Sequence, residues 1–380
     1  MKKTILVPDS FKGTIPAARV CEILRGAVHA HFPQCEVLSI PVADGGEGTV
    51  DCFLAAMGGE KITRRVAGPI PGGAVEASYG ILPDGTAVVE LAAAAGLPLA
   101  AGFKNPCLTM TYGVGQLLLD AVKRGCKNIV LGLGGSCTND LGCGIAAAAG
   151  ARFFDKNGNA FIPVGSTLSQ IARVDLELLR KNFHGVKITV MCDVNNPLYG
   201  PEGAAHVFSP QKGATPAMVE HLDGQLRAAS GVIEKQLGVE ISNMPGAGAA
   251  GGAGAGMVAF FGAALQPGIH AVLDATGFDR HLHGADFVFT GEGRVDAQTA
   301  RGKVVAGVAR RVAGRVPVVV LAGAIEDPVD ELHALGVTAM FSATRRAAPL
   351  DPARCERDLA LTMDNVCRLL KISPRLRAPA

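Results

Sequence analysis

Short apolar runs that break into glycines and acidic residues recur along this chain. Ile5-Leu6-Val7 leads into Pro8-Asp9-Ser10-Phe11-Lys12-Gly13, and Val37-Leu38-Ser39-Ile40 leads into Pro41-Val42-Ala43-Asp44-Gly45-Gly46-Glu47-Gly48-Thr49. Ile129-Val130-Leu131 opens into Gly132-Leu133-Gly134-Gly135-Ser136-Cys137-Thr138-Asn139-Asp140. Ile188-Thr189-Val190 precedes Cys192-Asp193-Val194-Asn195-Asn196-Pro197, and Phe287-Val288-Phe289 precedes Thr290-Gly291-Glu292-Gly293-Arg294-Val295-Asp296. A continuous apolar run reads as a buried parallel strand. The loop at its carboxyl end is where open α/β sheets bind ligands. Helix capping and turn closure explain Asp, Asn and Gly in any single loop. Five such loops carry more carboxylates than turns require.

Between these runs the pattern alternates with helices. A helix starts near Thr14-Ile15-Pro16, with a hydroxyl cap and an early proline, and shows an apolar face at Val20, Ile23, Leu24 and Val28. A second runs from about Gly48 to Met57 and stops at Gly58-Gly59. Strands are expected at 286–289, 317–321 and 338–341, with a final helix over 355–370. Two βα units at the start and three at the end give five strands, as in a flavodoxin-like doubly wound sheet. The expected architecture is therefore α/β: a discontinuous flavodoxin-like domain from residues 1–64 and 281–380, and an inserted α/β domain over 65–280. Strands of the insertion are expected near Val75–Leu82, Thr86–Glu90, Asn128–Leu131 and Lys187–Met191. Glycine-rich loops on both sides of the boundary favour a ligand cleft between domains.

Composition narrows the function. The chain has 380 residues, 36 basic against 34 acidic, for a net charge of +2. That balance makes no electrostatic case for nucleic acid, and the absence of Trp argues against base-stacking platforms. Ten cysteines lack any C-x-x-C pair, so they read as reduced thiols of a cytoplasmic protein. Met1-Lys2-Lys3 has the charge of a signal peptide, but the apolar stretch after it ends at Pro8-Asp9, too short for an h-region. From Ile241 to Leu273 no Asp, Glu, Lys or Arg occurs. Its glycines and the flanking Pro245 and Pro267 suit a loop feeding a buried helix through Met257, Val258, Phe260, Phe261 and Leu265. No membrane span is expected there.

Several familiar motifs fail on context. Gly246-Ala247-Gly248-Ala249-Ala250-Gly251 matches the dinucleotide fingerprint, yet Ser242-Asn243-Met244-Pro245 stands where a strand is needed. Gly302-Lys303 is followed by Val304, so no Walker A pattern exists, and protein-kinase and G-x-S-x-G motifs are absent. His29/His31 and His281/His283 lack the spacing of a zinc-protease site. What remains is glycines, carboxylates and isolated lysines at loop ends. Phosphoryl transfer asks for that combination: amides and lysines for phosphate charge, one carboxylate for Mg2+ and another to accept a hydroxyl proton. Lys12, Lys212 and Lys303 each adjoin a glycine, where a side chain could reach a phosphate.

The motifs that carry a resemblance are Pro8–Gly13, Pro41–Thr49, Gly132–Ser136 with Thr138-Asn139-Asp140, and Cys192-Asp193-Val194 with Asn196-Pro197-Leu198. Pro210-Gln211-Lys212-Gly213-Ala214, the glycines of 246–252, and Thr290–Arg294 with Asp296, Gln298, Gly302 and Lys303 complete the series. On these residues the chain closely resembles the bacterial type I glycerate kinases, which make 2-phosphoglycerate. The family often has Ala at position 137 and Gly at positions 141 and 209, where this chain has Cys137, Leu141 and Ser209. The resemblance implies ATP and Mg2+ as cofactors, glycerate as the small-molecule substrate, and the same two-domain architecture. The catalytic assignments are Asp193, Lys12, Asp44, Glu292 and Asp296, with Asp193 and Glu292 as metal ligands and Asp193 alternatively the general base. Phosphate contacts fall to Gly134, Gly135, Ser136, Asn139, Lys212 and Lys303. A non-catalytic sugar-acid-binding protein is the competing reading, though an acid ligand calls for basic groups rather than so many carboxylates. An NAD-dependent oxidoreductase is disfavoured by the context of the 246–251 glycines.

Overall fold

The structure is a computed structural model that describes all residues except 12, 44, 298, 302, 303, 346–348 and 377–380; for 301 and 373–376 it describes the backbone alone. The chain divides into two compact units: Met1–Ala43, Ala55–Met57 and Val272–Ala380 form the first, and Asp44–Leu54 with Gly58–Ala271 the second. Both are mixed α/β.

The first unit is built on five parallel strands, in the spatial order Glu36–Ser39, Lys3–Pro8, Phe287–Gly291, Val318–Ala322, Val337–Ser342. Counted along the chain, that order is 2-1-3-4-5. Past their first residues the middle strands are buried, which is why they read as apolar runs. Side chains alternate between faces. Leu6, Phe289, Val319 and Leu321 pack with Val20, Leu24 and Val28 of helix Ala17–His31 and with Leu359, Met363 and Val366 of helix Pro352–Leu376. Helix Val304–Val312 also packs on the central strands. The expected hydroxyl cap of the first helix is not made: its cap residue is Pro16, and the Thr14 hydroxyl bonds back to Phe11 O at 2.8 Å. Proline at the cap fixes φ at the entry but has no side-chain acceptor to offer the first helical amides.

The second unit carries a six-stranded sheet in the order Ala264–Gln266, Lys187–Met191, Asn128–Gly132, Ala87–Glu90, Ala74–Ile81, Glu60–Ala67. The first four strands run parallel, and the last two are antiparallel. The edge strand Glu60–Ala67 was not expected from the pattern. It offers only Ile62 and Val66 to the core, with Arg64 between them on the same face. Arg64 is accommodated because its Nε donates to Asp120 at 3.1 Å, where Tyr79 Oη also donates at 2.7 Å.

The glycine-rich stretch forms the helix Ala249–Phe261, interrupted near its start by left-handed Ala250, Gly251 and Gly252. Met257 and Phe260 are buried as expected. Leu265, expected on this helix, lies instead on strand Ala264–Gln266, because the left-handed Gly262 ends the helix. Among the described residues no helix is long and apolar enough to cross a membrane.

Candidate active site

Three neighbouring parallel strands of the second unit end in register. Glu90 pairs with Gly132, and Gly132 with Met191. The loops beginning at Leu91, Leu133 and Cys192 therefore leave one sheet edge side by side. Onto this edge folds the segment containing Gly45 and Gly46. Gly134 N donates to Gly45 O at 2.9 Å, and a Cβ on Gly132 would lie 2.2 Å from Gly45 O. One on Gly134 would lie 2.6 Å from Gly46 Cα. Glycine is needed here for close backbone approach.

The loop 132–140 is anchored at its far end by Asp140, which is fully buried. Its Oδ2 accepts from Thr111 N and Thr111 Oγ1, both at 2.8 Å, and from Gly144 N at 3.3 Å; its Oδ1 accepts from Gly142 N at 3.2 Å. These donors sit at the starts of helices Tyr112–Lys123 and Cys143–Ala149. Burial pushes the Asp140 carboxyl up, and its four donors pull it back. Asp140 is thus a clamp on the loop, a role its place in the motif did not distinguish from ligand binding.

Gly134, Gly135, Ser136 and Asn139 are brought together on this loop, as expected. The amides divide, however. Those of Gly134 and Cys137 are spent within the protein, on Gly45 O and Ala95 O at 2.9 Å each. Gly135 is held at φ 73°.

Lys212, in the turn Pro210–Lys212, reaches the same loop. It is only 2% exposed, and its Nζ donates to Thr138 O at 2.6 Å. Burial pushes its ammonium down to about 8, against the opposing pull of Cys137 and Asp140. Ser209 Oγ donates to Asn139 Oδ1 at 3.1 Å. Thr138 Oγ1 and Asn139 Nδ2, both buried, have no hydrogen-bond partner among the described residues. Two orphaned polar groups beside a buried ammonium are costly in a closed protein. They are the groups that an anion's oxygens or ordered water would satisfy.

Asp193 follows strand Lys187–Met191 on the same edge. Its Oδ1 accepts from Gly268 N, at the start of helix Gly268–Ala275, at 2.8 Å. Glu292 and Asp296 belong to the first unit, after strand Phe287–Gly291. Thr299 links them: its Oγ1 donates to Glu292 Oε1 at 2.6 Å, and its amide to Asp296 Oδ1 at 3.3 Å. Glu292 is almost fully buried. Asp9 leaves the adjacent strand, its amide on Gly291 O at 2.8 Å. Lys12, Asp44 and Lys303 lie outside the described residues.

Among the described residues no group of three or more His, Cys, Asp or Glu is gathered as a metal site. The donor chemistry nonetheless fits Mg2+, which binds through one or two carboxylates while retaining water and substrate phosphate oxygens. Single carboxylates such as those of Asp193 and Glu292 suffice for that mode.

An α/β protein whose strand-end loops bear glycines and carboxylates, with a buried lysine reaching one of them, has the parts of a phosphoryl-transfer enzyme. The Glycerate kinase family model matches residues 4–371. The chain is 44% identical over 364 residues to a glycerate kinase of Halalkalibacterium halodurans, covering 95% of this chain and 96% of that one. It is 42% identical to the glycerate 2-kinase of Escherichia coli, covering 96% and 95%. The crystal structure of the protein assigned as glycerate kinase 2 in Salmonella typhimurium LT2 superposes with a TM-score of 0.87 at 39% identity, covering 98% of this chain and 99% of that one. This chain belongs to the glycerate kinase family.

Proposed function

We propose that the protein transfers the γ-phosphoryl group of ATP to the 2-hydroxyl of glycerate, giving 2-phosphoglycerate and ADP, with Mg2+. The observation that carries this reading is the buried Lys212 beside the orphaned Thr138 Oγ1 and Asn139 Nδ2, at the end of a glycine loop in a chain of this family. These groups, with the amides of Gly135 and Ser136, would bind phosphate oxygens. Lys303 and Lys12 would add positive charge. As the new O–P bond forms and the β–γ bridge breaks, the hydroxyl proton passes to a carboxylate, and Asp193 is our assignment for that base. Asp44 and Asp296 would orient the reacting groups.

Glu292 would hold Mg2+, with Asp193 as its ligand in the alternative to the base role; when bound, the ion neutralises charge on the phosphates. The 2-1-3-4-5 parallel order supports reading the first unit as a flavodoxin-like doubly wound domain, with the second as an inserted α/β domain. Ten free cysteines support a cytoplasmic location.

The test is ADP release, measured by a coupled assay across small hydroxy acids, with the product identified by NMR. Glycerate-dependent release yielding 2-phosphoglycerate is expected. Glycerate binding without ADP release would establish the binding protein instead, and a 3-phospho product would overturn the regiochemistry.

A further inference from the structure

Helix Thr49–Met57 starts without a cap of its own. The residue before it is Gly48, at φ 91°, which has no side chain to offer the first amides. An N-terminal side chain normally accepts from the second or third helical amide. Here Glu90, on a strand of the same unit, does so: its Oε1 accepts from the amide of Val50, the second helical residue, at 2.7 Å. Burial pushes the Glu90 carboxyl up, and the backbones of Val50 and Gly48 pull it back. The side chain is 8% exposed and is the last of its strand, in register with Gly132.

The segment immediately before this helix is the one that lies on the 132–134 backbone. Gly134 N bonds to Gly45 O, and Thr49 Oγ1 closes the turn onto Gly46 O at 2.7 Å. A Cβ on Gly45 would approach Met191 Cβ to 3.1 Å, so the segment also touches the strand that leads to Asp193. Glu90 therefore fastens the helical end of a short segment that meets the 132–134 backbone through Gly45 and Gly46.

We propose that Glu90 is a positioning residue for phosphoryl transfer: by capping helix Thr49–Met57 from the neighbouring strand, it holds the 45–48 loop in register on the 132–136 loop. The inference rests on the proposed function, because it takes those two loops as parts of the reacting site. Loss of the cap lets the first helical turn fray and the 45–48 segment drift, and small displacements of reacting groups cost turnover steeply.

The experiment compares wild type, Glu90→Gln and Glu90→Ala by steady-state kinetics and by amide hydrogen exchange of a peptide spanning 44–54. Gln retains a carbonyl acceptor for Val50 N, whereas Ala removes it. Expected for Glu90→Ala are faster exchange of the 44–54 peptide and a kcat/KM lower by about tenfold. Glu90→Gln should recover most of both. Unchanged exchange and kcat/KM within twofold of wild type would overturn the proposal. So would a lowered Tm with unchanged kinetic constants, which marks a purely structural side chain. If Glu90→Ala does not fold, Glu90→Leu, which fills similar volume without an acceptor for Val50 N, carries the decision, with faster exchange and a lowered kcat/KM expected and no change in either overturning it. Exchange needs no turnover. A wild type inactive on glycerate would refute the proposed function, while exchange alone would still show whether Glu90 seats the loop.

Discussion

Lys212 places an ammonium where water does not reach, and burial brings its pKa to about 8 from an ordinary 10.5. The folded protein thus sheds a proton that the unfolded chain keeps, so this group's contribution to stability rises between pH 8 and 10.5. Activity should move the other way: as the ammonium neutralises above pH 8, an anionic ligand loses its counter-charge. Lys212→Met is expected to weaken ATP turnover and to abolish an alkaline fall in kcat/KM centred near pH 8. A pH–rate profile checks this, and an unaltered alkaline limb would assign it to another group. Asp193 is tested by Asp193→Asn, which keeps an acceptor for Gly268 N and removes the charge. A fall in kcat of about 10²-fold or more, with the circular-dichroism spectrum preserved, is expected of a general base. Near-normal kcat would leave Asp193 as the cap of helix Gly268–Ala275. Leu141 is a residue whose reading changed meaning. The family often has glycine there, and the structure holds Leu141 at φ 56°, in the left-handed region. Its fully buried side chain belongs to the core, which offsets a backbone cost of roughly 1–2 kcal/mol.

At the scale of elements, strand ends and the loops they launch were legible because a buried parallel strand is one continuous apolar word. The runs at 5–7, 129–131, 188–190 and 287–289 each became a strand where the pattern placed it. What the pattern could not carry was contact between distant segments. Glu60–Ala67 escaped because an inward Arg64 breaks its alternation, and Asp120, 56 residues on, is what makes that tolerable. Glu90 looked like the end of a strand, since its partner Val50 lies 40 residues earlier. Glycines were legible as a group, but not which of them meets another backbone. Gly132→Ala tests that element-level contact. A Cβ 2.2 Å from Gly45 O requires the two loops to separate. The expected result is a destabilisation of about 1–3 kcal/mol by denaturant titration, together with a loss of kcat/KM. A variant with wild-type stability and kinetics would show that the loops part at no cost.

At the scale of the whole molecule, the proposed metal ligand of the first unit can be probed by itself. Glu292→Gln keeps an acceptor for Thr299 Oγ1. It should raise the Mg2+ concentration needed for half-maximal activity, while the Tm without ligands changes little. A large drop in Tm with an unchanged Mg2+ requirement would make Glu292 a structural residue. The discontinuous first unit has a further consequence, which concerns how the protein is made. Its strand Lys3–Pro8 is central and buried, and one of its two neighbours, Phe287–Gly291, follows 283 residues later. At roughly 5–20 residues per second, a ribosome takes roughly 15–60 s to deliver that neighbour. Through that interval one edge of an apolar strand has no native partner, and such an edge is a template for wrong pairing. Residues 58–271 meanwhile emerge as an almost unbroken run and can fold first. Synthesis therefore completes the unit of residues 58–271 before the sheet that contains strand Lys3–Pro8, and the hazard of aggregation falls on that waiting strand.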